Sequence, residues 1–323
     1  MRGPSLWPQS ERLRGVLSFP LSFLRLGRPL HLLGGLVFHG LGLSAAAFAG
    51  AAIDGRIALW CQLLISTSQL MTHYANDYFD QDADAATTTP TRWASGSRVL
   101  PEGHLPGWVA LIGAGAWGIA ALASAFRLAG MAPSGPMTLA LALTSIALAW
   151  GYSEPPFWLN RRGMGELSAA LLIPGLTSLL AFQAQTGGLA LLPALAAFPL
   201  CCLQFAMLLA VNFPDAAGDA RVDKRTLVVI LGPARASRLS LAALGLAYLP
   251  LPILWRLGLP PLVVLAVLCT LPIALAQARR IQRGAALRAE LWDPLAFWSI
   301  GHLMGCALLE TLAFIVSSPP AGS

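Results

Sequence analysis

Nine long apolar runs dominate the chain, at residues 30–50, 56–75, 107–127, 137–153, 166–185, 189–211, 238–256, 260–277 and 294–316, with short polar connections between most of them. Within each run the apolar residues are continuous and do not alternate with period two. The pattern therefore predicts helices and excludes a membrane β-barrel. Crossing about 30 Å of hydrocarbon at about 1.5 Å per residue takes about 20 residues, close to the length of each run. Pro174, Pro193, Pro199, Pro252 and Pro272 fall inside runs, where a helical bundle absorbs them as kinks. The predicted fold class is an all-α integral membrane protein, a bundle of nine transmembrane helices.

The connections fix an orientation. Eighteen of the 21 basic residues fall on one set of alternate connections, and only Arg56, Arg127 and Arg256 on the other. Basic connections stay on the cytoplasmic side, so the N-terminus is predicted inside and the C-terminus outside. Residues 1–28 are Arg-rich with a single acid, Glu11, and lack a short apolar core followed by a small-residue cleavage site. They read as a cytoplasmic amphipathic lead-in lying on the membrane. A single membrane domain thus fills 1–323: the lead-in, the bundle over 29–316 and a short tail at 317–323.

Composition agrees. Hydrophobic residues make up 56% and charged residues 11%, where a soluble domain carries roughly 25% charged. Mean hydropathy is +0.66. A net charge of +6 would suggest nucleic acid in a soluble protein. Here the basic connections account for it, and no nucleic-acid partner is expected. The five cysteines all lie in apolar runs without metal-ligand spacing to histidine, so they read as small core residues.

The chemistry is concentrated in aspartate. Seven of the nine aspartates occupy two short windows: Asp77, Asp80, Asp82 and Asp84, then Asp215, Asp219 and Asp223. Asn76, Asp80 and Asp84 follow at i, i+4 and i+8, with Asp77 three before Asp80. Asp215, Asp219 and Asp223 repeat the four-residue step, so each set projects along one helix face. Like charges at that spacing repel, and carboxylates near lipid are expensive to desolvate. Cations between them make such stacks tolerable. Oxygen-only ligands favour Mg²⁺ or Ca²⁺. An EF-hand loop beginning at Asp80 fails, because Ala85 stands where Gly is needed and Thr91 where a bidentate Glu is needed. Two windows at the same membrane face read as a receptor for a Mg²⁺-loaded diphosphate. Arg98, Arg161, Arg162, Lys224 and Arg225 lie in the same connections as candidate phosphate ligands.

The stretch Asn76-Asp77-Tyr78-Phe79-Asp80-Gln81-Asp82-Ala83-Asp84 resembles the N-D-x-x-D-x-x-x-D motif of UbiA-type intramembrane prenyltransferases, and Asp215-Ala-Ala-Gly-Asp219 resembles their D-x-x-x-D motif. The loops Thr89 to Leu100 and Tyr152 to Glu166 are similar to the family's loops after the first motif and after the fourth helix. Asn212 to Leu227 resembles the dihydroxynaphthoate prenyltransferase branch in particular. Asn160 stands where many relatives carry a basic residue, and Arg161 is the neighbouring substitute.

The resemblance implies a nine-helix bundle with a central cavity open to lipid. It implies one Mg²⁺ on Asn76, Asp77, Asp80 and Asp84, and a second on Asp215 and Asp219, with Asp80, Asp84, Asp215 and Asp219 as the catalytic carboxylates. The expected reaction transfers an isoprenyl group from a polyprenyl diphosphate to an aromatic quinone precursor. The favoured acceptor is 1,4-dihydroxy-2-naphthoate, which points to a bacterial inner membrane; 4-hydroxybenzoate, homogentisate and a tetrapyrrole are alternatives. His73, Tyr78 and Tyr152 are candidates for the acceptor or cation chamber. Glu310, within the last run, reads as snorkelling outward. A divalent-cation transporter would also gather intramembrane acids, but near the bilayer midplane, whereas both windows here sit at one face.

Overall fold

The computed structural model describes residues 19–319, so the expectations for residues 1–18 and 320–323 lie outside the described part. Among the described residues every named element is helical. After a helical segment over 19–26, the main elements are α1 (Pro29–Phe48), α2 (Gly55–Phe79), α3 (Gln81–Ala86), α4 (Gly107–Ala129) and α5 (Gly135–Gly151). They continue as α6 (Gly165–Thr186), α7 (Leu191–Asn212), α8 (Ala216–Arg221), α9 (Pro233–Arg256), α10 (Pro261–Gln282) and α11 (Trp292–Ser317).

Among the described residues seven helical spans are long and apolar enough to cross a membrane: Phe19–Phe48, α6, α7, α4, α9, α10 and Ala289–Ser317. The two other predicted runs are also helical but differ for physical reasons. Helix α2 has 25 residues yet carries Ser, Thr, Gln, His, Asn and Asp along its length, while α5 has only 17 residues. The prolines bend helices without ending the spans. Pro174 lies in a π turn over Leu171–Leu176, and Pro252 and Pro272 each sit in the first turn after a break, where a missing N–H costs least.

Helix α2 packs along α4, α1 lies against α6 and α11, and α9 lies against α7. The largest buried cluster includes Phe38, Leu41, Leu200, Leu209, Val263 and Phe314. Hydrogen bonds pin the crossings: Ser178 Oγ donates to the Phe38 carbonyl at 3.0 Å, joining α6 to α1. Asp54 caps α2 by accepting from Arg56 N at 2.7 Å, while its own N–H donates to Gln185 Oε1 at 2.9 Å. The C-terminus of α2, with α3, the loop that follows it, the 152–164 loop and α8, meets at one end of the bundle and builds the site.

Candidate active site

Asp80 ends α2 and is 2% exposed, surrounded by donors from its own helix and from two other segments. Asn76 Nδ2, one turn earlier, donates to Asp80 Oδ2 at 2.7 Å, and Asn160 Nδ2 reaches the same oxygen at 2.9 Å. Arg161 Nη2 lies 3.4 Å from Asp80 Oδ1 and donates to the Phe79 carbonyl. Ser153 Oγ accepts from Asn76 Nδ2 at 2.9 Å and so links the 152–164 loop to α2. Asp77 faces the same space and pairs with the Arg28 guanidinium and the Ser97 hydroxyl.

The second motif comes within reach of the first. Lys224 Nζ lies 3.0 Å from Asp80 Oδ2 and 3.4 Å from Asp219 Oδ1, so one ammonium bridges both windows. Asp215 accepts from Ser95 N at 3.0 Å, from the Ser95 hydroxyl and from Thr87 Oγ1 at 3.4 Å. The loop after α3 therefore holds Asp215 through Ser95 and Asp77 through Ser97. Two glycines make this closeness possible. Gly218 lets α8 approach the end of α3, since a Cβ there would lie 2.6 Å from Thr87 Oγ1. Gly96 has φ +69°, and a Cβ on it would lie 2.1 Å from Asp84 Oδ2.

Electrostatics follow from burial. Burial pushes the Asp84 carboxyl up to about 7, against the pull of Arg28 and Lys224. It pushes Asp219 up to about 6, again with Lys224 opposing. For Lys224 burial alone would favour the neutral amine, but Asp80, Asp219 and Asp84 outweigh it and raise the ammonium above its ordinary range. Glu154, sealed in the 152–164 loop with neither oxygen partnered, is pushed up to about 9 by burial.

Among the described residues no three His, Cys, Asp or Glu side chains converge tightly enough to form a metal cage by themselves. Mg²⁺ does not require one, since it is usually bound by one or two carboxylates and completes its shell with water and substrate phosphate oxygens. The donor set suits it: all oxygen, with Asp219 Oδ2 buried and unpartnered.

Next to the carboxylates lies a cavity of about 220 Å³, lined at the carboxylate end by Arg28, His73, Asn76 and Tyr152 and elsewhere by Leu64, Leu172, Thr177 and Leu180. His73 Nδ1 engages the Gly27 carbonyl at 2.8 Å. Tyr78 packs edge-on against Phe79 and toward the start of α4 instead of lining the cavity. Arg98 donates to the Asp84 carbonyl at 2.6 Å. Arg162 and Arg225 are exposed and joined through their backbones, and Asp82 and Asp223 are exposed as well.

Several residues of the site escape sequence reading. Arg28 falls in the Arg-rich lead-in, yet its guanidinium also donates to Asn76 Oδ1 at 3.1 Å. Its one local signal is the Gly27-Arg28-Pro29 boundary, where Arg28 takes φ 45°. Ser95, Ser97 and Ser153 act through contacts 77 to 120 residues away in sequence, apart from the Ser97–Asp77 pair at 20, and no spacing rule reports those.

The UbiA prenyltransferase family profile matches residues 36–301. The chain is 26% identical over 192 residues to the 1,4-dihydroxy-2-naphthoate octaprenyltransferase of Bacillus subtilis (strain 168), covering 59% of this chain and 58% of that protein. It is 30% identical over 212 residues to the protein of the same description from Mycobacterium tuberculosis (strain H37Rv), covering 62% and 68%. Among solved structures, a UbiA homolog from Archaeoglobus fulgidus bound to DMAPP and Mg²⁺ shares the fold with a TM-score of 0.61 at 17% identity, over 91% of this chain and 99% of that one. The apo UbiA homolog from Aeropyrum pernix K1 also gives 0.61, at 15% identity over 88% and 97%.

Proposed function

The chain belongs to the UbiA prenyltransferase family, and on that footing we propose that it transfers an isoprenyl group from a polyprenyl diphosphate to an aromatic quinone precursor, with 1,4-dihydroxy-2-naphthoate as the acceptor. The observation that carries this reading is the Lys224 bridge between Asp80 and Asp219 beside an apolar cavity. A charged diphosphate head fits the first feature, and a long apolar tail fits the second. The acceptor is argued from the two naphthoate prenyltransferase relatives.

In this reading Asn76, Asp77, Asp80 and Asp84 hold one Mg²⁺, and Asp215 and Asp219 a second. Bound Mg²⁺ supplies positive charge to the leaving diphosphate. Lys224 and Arg161, already at the carboxylates, add hydrogen-bonded positive charge at fixed positions, so little reorganisation is needed as the allylic C–O bond breaks. Arg98, Arg162 and Arg225 supply further positive charge at the same end of the bundle. Ser95 and Ser97 orient Asp215 and Asp77. Apolar cavity walls keep water from the developing allylic cation, and Tyr152 and His73 in the cavity wall present polar edges to the acceptor ring.

The bundle is proposed to cross a bacterial inner membrane nine times as a single domain, with α2 and α5 as the two less apolar crossings. The N-terminus and the carboxylates lie on the cytoplasmic side, the C-terminus lies outside, and the cavity opens to lipid. The polar residues of α2 fit its place in the cavity wall, which Ser68, Thr72, His73 and Asn76 line.

The test is product analysis. Purified protein in lipid, given Mg²⁺, mixed polyprenyl diphosphates and candidate acceptors, is expected to yield prenylated naphthoate by mass spectrometry. Product formed on another ring, with none on the naphthoate, would reassign the acceptor. No transfer to any ring would overturn the activity.

A further inference from the structure

Away from the carboxylates, the part of the bundle built from α7, α9, α10 and α11 buries polar side chains that prenyl transfer does not use. On α11, Ser299, His302, Cys306 and Glu310 follow at intervals of three or four residues and so share one helix face. Glu310 does not snorkel as its position in the sequence suggested, because it is 0% exposed.

These groups join into a chain. Arg280 Nη1 donates to Gln277 Oε1 at 2.8 Å, and Gln277 Nε2 donates to Ser299 Oγ at 2.7 Å. A void of about 10 Å³ lined by Gln277, Ser299 and His302 comes next. That is about the smallest space that takes one water, for which roughly 10–15 Å³ is needed. Beyond it, His302 Nε2 and Tyr248 Oη are 2.7 Å apart, and Tyr248 Oη is 2.7 Å from Thr270 Oγ1. Thr270 Oγ1 donates to the Val267 carbonyl at 2.7 Å beside the Cys306 thiol, and Cys306 Sγ donates to Glu310 Oε1 at 3.5 Å. There the chain stops: Glu310 Oε2 has no partner, and none of the ion pairs among the described residues involves Glu310. Cys201 on α7, Tyr248 on α9 and Cys306 on the same helix are the titratable groups near it.

Polar contacts between membrane helices also serve as glue, but glue does not call for a carboxyl left half-satisfied at the end. An ionised carboxylate without a cation is disfavoured in such surroundings. We infer that the chain from the partly exposed Ser299 through His302, Tyr248, Thr270 and Cys306 is a proton path, with Gln277 fixing the Ser299 hydroxyl and Glu310 as an intramembrane proton-binding site in exchange with the water at the Arg280 end. Each transfer moves one proton: the Ser299 and Thr270 hydroxyls turn away from the Leu295 and Val267 carbonyls to which they donate, His302 takes a proton on one ring nitrogen and releases one from the other, and Tyr248, Thr270 and Cys306 each pass on a proton as they accept another. No electron and no other atom changes hands, and the net change is one proton on Glu310.

The test is infrared spectroscopy of the full-length protein in lipid nanodiscs on transfer from H₂O to D₂O. A protonated carboxyl band that Glu310→Gln removes is expected, shifting on deuteration. Tyr248→Phe and, separately, Thr270→Val each delete one link while keeping most of the side-chain volume. Each is expected to slow that shift by about tenfold or more, because a missing hydrogen-bond partner must be bypassed. Unchanged melting of these variants shows that the bundle is intact. Absence of a band lost in Glu310→Gln, or wild-type exchange rates in two variants that melt normally, would overturn the path.

Discussion

Lys224 Nζ stands 3.0 Å from Asp80 Oδ2, and this contact ties the segment after the second carboxylate window to the helix end that carries the first. Lys224 is 13% exposed and Asp80 2%, so neither charge can fall back on water. Removing one partner of a buried pair costs about 3–5 kcal/mol, because the remaining charge stays buried. Lys224→Met is expected to lower the melting temperature and to reduce prenyl transfer by about 100-fold or more. Lys224→Arg keeps the charge and should retain most of the stability. Melting curves and steady-state turnover of both variants check this. Equal melting of wild type and Lys224→Met would mean that the bridge carries no stability.

The raised carboxyls at Asp84 and Asp219 make stability depend on pH in a direction opposite to that of an ordinary salt-bridged acid. Their ordinary range is near about 4, and burial pushes them up to about 7 and about 6. Between those limits the folded protein binds more protons than the unfolded chain. Stability therefore falls as pH rises through this window and levels off above about 7. The metal-free melting temperature is expected to drop between pH 5 and pH 7.5, and Asp84→Asn should flatten the upper part of the drop. Mg²⁺ competes with the same protons, so its stabilising effect should grow over that interval. A metal-free melting temperature that rises with pH would contradict the assignment.

The helices and the two aspartate rows were legible because both are local patterns: apolar runs of about 20 residues, and carboxylates spaced by one turn. Span-by-span assignment was less legible. Helix α2 is too polar and α5 too short to register as apolar crossings, and the polar positions Ser68, Thr72, His73 and Asn76 on α2 are ones that line the cavity. Arg28 was hidden because its partners lie 48 and 49 residues away, on another helix. The expected phosphate ligands divided similarly. Lys224 and Arg161 reach the carboxylates, whereas Arg162 and Arg225 carry the same charge but stand exposed on the surface.

Gly96 offers a controlled test of how tightly the loop after α3 is fitted to the first motif. Gly96 and Gly103 share nearly the same left-handed backbone, φ +69° and +71°. An added Cβ at Gly103 meets nothing within 4 Å, whereas at Gly96 it would lie 2.1 Å from Asp84 Oδ2. Gly103→Ala should therefore cost only the conformational strain, about 1–2 kcal/mol. Gly96→Ala carries the same strain and must also displace Asp84. It is expected to be the less stable of the two and to need more Mg²⁺ for half-maximal prenyl transfer. Melting temperatures and Mg²⁺ titrations of the pair check this, and matching values would show that the loop yields without disturbing the carboxylate.

Ser68 tests where the donor tail lies. It lines the cavity eight residues before Asn76 on α2, a separation of about 12 Å at 1.5 Å per residue. The wall continues past it to Leu64 and Leu180. A phenylalanine at this position would divide the cavity, leaving the Asn76 end and the carboxylates as they are. Ser68→Phe is therefore expected to leave kcat/KM for a dimethylallyl donor nearly unchanged. With an octaprenyl donor, whose tail must displace the ring or fold back on itself, kcat/KM should fall by about tenfold or more, a change of about 1.4 kcal/mol in transition-state binding. The ratio of the two values, measured on one preparation, separates a blocked tail from a general loss of activity. An equal fall for both donors would mean that the tail runs elsewhere.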